Sequence, residues 1–234
     1  MRREVGPGGT APEVCVLHTV AALPELFGPL LREEAPHVRP FHVVDESLLA
    51  DMISHGPLPA VADRLAAHVA EADAAGARAV LVTCSSMGAV AEEVRKRAGI
   101  PVLRIDEPMA AEAVRTGTRI GVLATLETTL GPTAELVRRE ASAQGVRVSV
   151  TTTDCPGAYE ARQAGHPGEH DRLIAAEALR LAPSHDVLVL AQASMAAALA
   201  SLPDGGLGIP VLTSPRSGAA QLAALGDDFS GGCS

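Results

Sequence analysis

The residues best suited to chemistry are three small polar side chains in a row, Cys84, Ser85 and Ser86. Four apolar or β-branched residues, 80–83, precede them and predict a buried parallel strand. A glycine and a helical run over residues 89–98 follow. A strand, a polar turn and a helix place side chains at the carboxyl edge of a parallel sheet, where α/β folds bind ligands. The sequence therefore predicts a site at this turn.

Cys84 carries the most reactive group of the three. A thiol just before a helix lies near the helix N-terminus, which stabilises the thiolate, whereas a buried structural cysteine fits the same spacing. Ser85 and Ser86 either cap the helix or offer hydroxyl and backbone N–H groups to a carboxylate or enolate oxygen. The pattern Cys-x-Ser-x-Gly over residues 84–88 lacks the first glycine of a serine-hydrolase elbow, which weakens that alternative.

The chain repeats this unit. Residues 187–196, with the sequence VLVLAQASMA, align with residues 79–88 after an offset of 108 residues. In this alignment the apolar run and the methionine are shared, but Gln192 falls on Cys84. That mismatch is the main question about function.

A second pair of segments shows the same duplication. Residues 120–125 align with residues 14–19, so that Thr125 falls on Thr19. Two similar lobes related by a pseudo-twofold axis would place the carboxyl edges of their sheets on opposite sides of one cleft. The repeat therefore predicts that the thiol faces the glutamine, and that the two threonines face each other.

The remaining segments alternate between strand and helix patterns, which predicts an α/β fold with parallel sheets. The predicted strands cover residues 14–17, 41–44, 80–83, 101–105, 120–123, 146–151, 187–190 and 209–212. The predicted helices cover residues 23–32, 58–75, 89–98, 108–115, 133–144, 170–181, 195–201 and 219–225. Residues 154–170 are expected to form a loop because they contain two prolines and several glycines.

The predicted domain organisation follows the repeat. Residues 1–12, rich in glycine and proline, are expected to form a flexible N-terminal arm. Residues 13–116 together with 213–234 are expected to form the first lobe, and residues 117–212 the second.

Composition excludes several classes of function. Apolar residues make up 47% of the 234 residues and aromatic ones only 2%, so Ala, Val, Leu and Ile must build the core. A net charge of −9 and the scarcity of stacking side chains argue against nucleic-acid binding. No apolar run approaches the roughly 20 residues of a membrane span, and the first residues do not form a secretory signal. We expect a cytoplasmic protein with reduced thiols, no membrane association and no nucleic-acid partner.

Other candidate residues have simpler explanations. The histidines show no metal-ligand spacing, so no metal site is expected. His18 ends the first strand and is the one histidine that could line the cleft. Cys15 is expected in the core, Cys155 could line the cleft from its loop, and Cys233 is expected to be inert in the tail.

The order and spacing of the short motifs resemble the aspartate/glutamate/hydantoin racemase superfamily, which is related to arylmalonate decarboxylase and maleate isomerase. The motifs are Thr-Cys-Ser-Ser at 83–86, Gly-Val-Leu-Ala-Thr at 121–125 and Pro-Val-Leu-Thr-Ser-Pro at 210–215. The similarity runs over about residues 14–222. It implies two pseudo-symmetric flavodoxin-like lobes with the active site in the cleft between them, and catalysis without a cofactor. The resemblance also allows a homo-oligomer.

In this family two cysteines flank a carbon acid, and one removes a proton while the other returns it to the opposite face. Cys84 occupies the place of the first cysteine, but Gln192 occupies that of the second. Glutamine has no useful pKa and cannot exchange a proton with carbon. Arylmalonate decarboxylase also has one of the two cysteines, but it retains the second.

The resemblance implies an isomerase of the racemase/epimerase type that acts on a small carboxylic-acid substrate. A one-base decarboxylase or lyase is the alternative, and a non-catalytic small-acid binding protein is a third. Ser85, Ser86, Thr125 and Ser194 are expected to hold carboxylate oxygens. Gln192 and Thr19 are expected to face the reacting carbon, with Cys84 as the proton-transfer or nucleophilic residue.

Overall fold

The computed structural model describes residues 13–202 and 206–226, and it contains two four-stranded parallel sheets. The first has the strand order β2-β1-β3-β4 and consists of β1 (Glu13–His18), β2 (Arg39–Val44), β3 (Ala79–Val82) and β4 (Val102–Arg104). The second has the order β6-β5-β7-β8 and consists of β5 (Arg119–Ala124), β6 (Ser149–Asp154), β7 (Val187–Leu190) and β8 (Val211–Thr213). The predicted arm (1–12) and Cys233 lie outside the described residues.

Helices connect these strands. The α-helices are α1 (Leu23–Glu34), α2 (Glu46–His55), α3 (Pro59–Ala74), α4 (Gly88–Arg95), α5 (Glu107–Thr116), α6 (Glu127–Ala143), α7 (Ala158–Gln163), α8 (Pro167–Leu181) and α9 (Ser214–Ala220). Short 3-10 helices cover Ser85–Met87, Ala182–Ser184, Ala193–Ser201 and Gln221–Gly226. None of the described helices is long and apolar enough to cross a membrane.

The predicted α/β class is confirmed, and the two sheets repeat the same strand order. The register repeats as well, since Val14 pairs with Ala79 in the first sheet and Ile120 pairs with Val187 in the second. The central strands are almost entirely buried because helices cover both faces of each sheet, which is why they are continuous apolar runs. The edge strands β2 and β6 are largely exposed.

Two helices cross between the sheets. Helix α5 belongs to the segment that the sequence assigns to the first lobe. Its apolar side chains Met109 and Val114, however, pack with Ile120 in the core of the second sheet. Ala219 of α9 and Leu222 pack into the core of the first sheet. Each sheet is therefore covered in part by the helix that follows the last strand of the other sheet, and neither core is complete without the other half of the chain.

Part of the predicted loop 154–170 is helical, because α7 and the first turn of α8 lie within it. Helix α2 is absent from the predicted elements. A capping signal for α2 is present, since the Asp45 side chain accepts a hydrogen bond from the Ser47 N–H at 3.0 Å, and Gly56 ends the helix with a φ of 75°.

Candidate active site

Cys84 follows β3 and directly precedes the 3-10 turn Ser85–Met87, at the carboxyl edge of the first sheet. Its side chain is half-buried. Burial raises the pKa of the thiol, and four polar groups near the sulfur lower it in part: the hydroxyls of Thr19 and Ser86 and the backbone N–H groups of Ser86 and Met87. The expected stabilisation of a thiolate by the turn is thus present, but burial outweighs it.

Two hydroxyl groups beside the thiol turn are unsatisfied. Thr19 and Ser85 are buried, with 2% and 4% of their surface exposed, and neither hydroxyl oxygen has a conventional hydrogen-bond partner. Buried polar groups are normally paired, so these two hydroxyls are suited to bind oxygens of a ligand.

Ser86 of the first lobe contacts two threonines of the second lobe. Its hydroxyl lies 2.7 Å from the Thr129 hydroxyl and 3.3 Å from that of Thr128, both in the first turn of α6. Ser86 and Thr129 are buried. The two threonines are absent from the predicted site, although their place just after a strand end of the second lobe was a usable signal.

Gln192 and Thr125 lie together at the carboxyl edge of the second sheet. The Gln192 Oε1 atom accepts hydrogen bonds from the Thr125 backbone N–H at 2.6 Å and from the Thr125 hydroxyl at 3.0 Å. Because its oxygen is occupied, Gln192 can offer a ligand only the NH₂ group, which is a donor. Ser194 is half-buried in the following 3-10 helix.

His18, the histidine that could have lined the cleft, is fully buried in a series of hydrogen-bonded side chains. The Thr83 hydroxyl donates to the Leu17 carbonyl at 3.1 Å, so it can only accept from His18 Nδ1 at 2.9 Å. His18 Nε2 is then the acceptor for His42 Nδ1 at 2.8 Å. Burial and the neighbouring His42 lower the pKa of His18 to about 4, so the ring is neutral.

The other described cysteines are structural. Burial raises the pKa of Cys15 to about 11, in the core expected for it. The expectation that Cys155 could line the cleft is wrong, because its side chain packs in the core with Leu123 and Met195. Burial, with acidic neighbours, raises its pKa to about 12.

A buried ion network supports the thiol turn. The Arg104 guanidinium is 3% exposed and binds both oxygens of Asp106, at 2.9 and 2.8 Å. It also contacts Glu92 of α4, which in turn pairs with Arg139 of α6. The guanidinium lies against Gly88, where a Cβ atom would come within 2.4 Å of Nη2. A side chain at residue 88 would therefore displace the guanidinium from this position, and the Glu92–Arg139 pair joins α4 to the second lobe.

A cation near the carboxyl edge of the second sheet is already paired. Arg216, just after β8, pairs with Glu33 and Glu34 of α1. The described residues contain no group of three or more His, Cys, Asp or Glu side chains that could hold a metal ion. The donors left at the two sheet edges are hydroxyl, amide and backbone N–H groups.

A cavity of about 330 Å³ lies elsewhere, at the amino ends of β1 and β2. Glu13, Arg39 and Phe41 are among its lining residues, and the first two form an ion pair at 3.4 Å. Parallel α/β sheets bind ligands at the opposite, carboxyl edge, so this cavity is not the candidate site.

The duplicated parallel sheets define a two-lobed α/β protein with the racemase fold. The family model described as Asp/Glu/Hydantoin racemase matches residues 18–222, and the chain belongs to this family. A search of curated proteins finds no significant match.

Solved structures of the same fold include racemases and a decarboxylase. Glutamate racemase RacE1 from Bacillus anthracis matches with a TM-score of 0.70 at 16% identity, over 94% of this chain and 84% of that one. A putative Asp/Glu racemase from Yersinia pestis matches with a TM-score of 0.71 at 14% identity, over 92% and 98%. The Gly74Cys mutant of arylmalonate decarboxylase matches with a TM-score of 0.60 at 18% identity, over 95% of each chain.

Proposed function

We propose that the protein is a cofactor-independent enzyme of the racemase/isomerase type that acts on a small carboxylic acid bearing an acidic C–H bond. The observation that supports this most directly is the thiol of Cys84 beside two buried, unpartnered hydroxyls, Thr19 and Ser85. In this proposal the thiolate removes the proton on the carbon next to the carboxylate. The electron pair moves into an enolate, whose oxygens bind hydroxyl and backbone N–H donors.

The second wall contributes hydrogen bonds rather than a base. The Gln192 NH₂ group donates to a substrate oxygen, and Thr125 keeps the carboxamide in that orientation. Ser194 is proposed to hold a carboxylate oxygen beside it. The Ser86 hydroxyl contacts Thr129 and lowers the pKa of the thiol.

The test is solvent deuterium uptake into a panel of small carboxylic acids, read by mass spectrometry. Cys84→Ser should keep the far-UV circular dichroism of the wild type and lose most of the uptake, because a hydroxyl is a far weaker acid and base than a thiol near neutral pH. Cys15→Ala, which removes a core thiol, is the matched control and should retain uptake. A fully active Cys84→Ser protein would contradict the proposal.

A one-base decarboxylase is the second candidate, favoured by the absence of a thiol at Gln192. In that reaction the C–C bond to one carboxylate of a substituted malonate breaks and releases CO₂. The electron pair forms an enolate, and the Cys84 thiol protonates its carbon. Release of CO₂ from such malonates, without deuterium uptake into monocarboxylic acids, would select this candidate. Saturable binding of an acid with neither reaction would indicate a non-catalytic binding protein.

A further inference from the structure

The Thr129 hydroxyl is the closest described contact from the second lobe to the side chains around Cys84. It is fully buried in the first turn of α6 and lies 2.7 Å from the Ser86 hydroxyl, which is also buried. Ser86 is the second residue after Cys84 in the same turn, and its hydroxyl lowers the pKa of the thiol. Thr129 and Ser86 thus connect α6 of the second lobe to the Cys84 thiol of the first lobe.

The direction of the hydrogen bonds made by the Ser86 and Thr129 hydroxyls depends on the charge of the Cys84 sulfur. A thiolate has no proton, so the Ser86 hydroxyl must donate to it. The oxygen of Ser86 is then left to accept, and Thr129, at the shorter distance, is the better placed of its two hydroxyl neighbours. Hydrogen bonds to an ionised acceptor are stronger than neutral ones, and a donor that itself receives a hydrogen bond is a stronger donor.

We propose that Thr129 is a positioning residue that acts through Ser86 to favour the thiolate of Cys84, so that ionisation of the thiol depends on contact between the lobes. The Glu92–Arg139 ion pair holds α4 against α6 beside the same turn. The proposal makes α6 a part of the thiol's environment. This inference rests on the proposed function only in that the proposed reaction uses the thiolate.

Charged groups around the turn are already balanced or exposed. Those near the turn include Glu46 and Asp51 of α2, Glu92 of α4 with Arg104 and Arg139, Glu127 of α6, and the neutral His18 of β1. Asp51 pairs with Arg64, and Glu46 accepts from the Ala21 N–H. A Thr→Val substitution changes none of these charges, so a shift in thiol ionisation after it reports the lost hydroxyl.

The test is the pH dependence of iodoacetamide alkylation at Cys84, followed by peptide mapping between pH 6 and 10. At each pH below the pKa of the thiol, Thr129→Val should make alkylation roughly threefold to tenfold slower, which corresponds to an upward shift of about half to one pH unit in the ionisation of Cys84. Thr129→Ser keeps the hydroxyl and should restore the wild-type profile. Thr133→Val is the matched control, since Thr133 is a buried threonine one turn later in α6 whose hydroxyl has no partner.

A double substitution distinguishes an effect transmitted through the Ser86 hydroxyl from an effect of side-chain packing. Ser86→Ala removes the hydroxyl between Thr129 and Cys84. In this background Thr129→Val should therefore cause no additional shift in the ionisation of the thiol. An unchanged profile in Thr129→Val, or an equal shift in Thr133→Val, would overturn the proposal. Alkylation reports ionisation without turnover, so a failed deuterium screen would remove the proposed function and leave this inference standing.

Discussion

At the residue scale, Cys84 differs from the other described cysteines in what surrounds its sulfur. Cys15 and Cys155 lie in apolar cores, which raise their pKa values to about 11 and 12. Both are protonated and inaccessible near neutral pH. Burial raises the pKa of Cys84 as well, but its side chain is half-buried, and four polar groups near the sulfur lower the pKa in part.

This difference predicts selective labelling. Brief iodoacetamide treatment at pH 7.5 should modify Cys84 in preference to Cys15 and Cys155, because the thiolate is the reacting form and a buried thiol is shielded. Peptide mapping by mass spectrometry measures the three sites in one sample. Modification of Cys15 with Cys84 untouched would show that the site has been misplaced.

His18 predicts how stability changes with pH. Its pKa is about 4 in the folded protein against an ordinary value of 6.5, so the unfolded chain binds the proton more readily. The stability that neutral His18 contributes is complete above pH 6.5 and is lost as the pH falls towards 4, by on the order of 3 kcal/mol at most. Urea unfolding at several pH values should show this loss. The slope should be shallower in His18→Gln, and an equal slope would contradict the account.

At the element scale, the ion network beneath the thiol turn joins β4, α4 and α6. Asp106→Ala should destabilise the protein by about 3–5 kcal/mol, because it leaves the buried Arg104 short of its bidentate partner. Asp63→Ala, which breaks an exposed pair with Arg97, should cost less than about 1 kcal/mol. Thermal or urea unfolding measures both. Similar losses in the two variants would mean that the network does not stabilise the turn.

The packing of α9 against the first sheet predicts a steric effect. A Cβ atom at Gly218 would lie 2.5 Å from the Ile105 carbonyl oxygen, which is backbone and cannot rotate away. Gly218→Ala should therefore lower the melting temperature. In α6 a Cβ atom at Gly131 would meet nothing within 4 Å, so Gly131→Ala should be neutral or stabilising by up to about 1 kcal/mol. A neutral Gly218→Ala would show that α9 is not held closely against the end of β4.

At the scale of the whole molecule, the repeat in the sequence was sufficient to predict two lobes, because a duplicated apolar strand specifies a duplicated sheet. It also placed Cys84 and Gln192 at equivalent strand ends, and the register of β3 and β7 agrees. The crossing of α5 and α9 was not predictable in this way, since an apolar helix face does not specify which sheet it covers. The Ser86–Thr129 contact was missed for the same reason, because it exists only once the two lobes are packed together.

The central claim is that one thiol, on one wall, moves the proton. Chiral analysis of the product formed in D₂O tests it most directly, with the wild type beside Gln192→Cys. A single base serves one face of the carbon, so the wild type should give deuterium in one configuration only, and Gln192→Cys should add some inversion. Rapid racemisation by the wild type, with solvent deuterium in the inverted product, would show that another residue supplies a second base and would contradict the account.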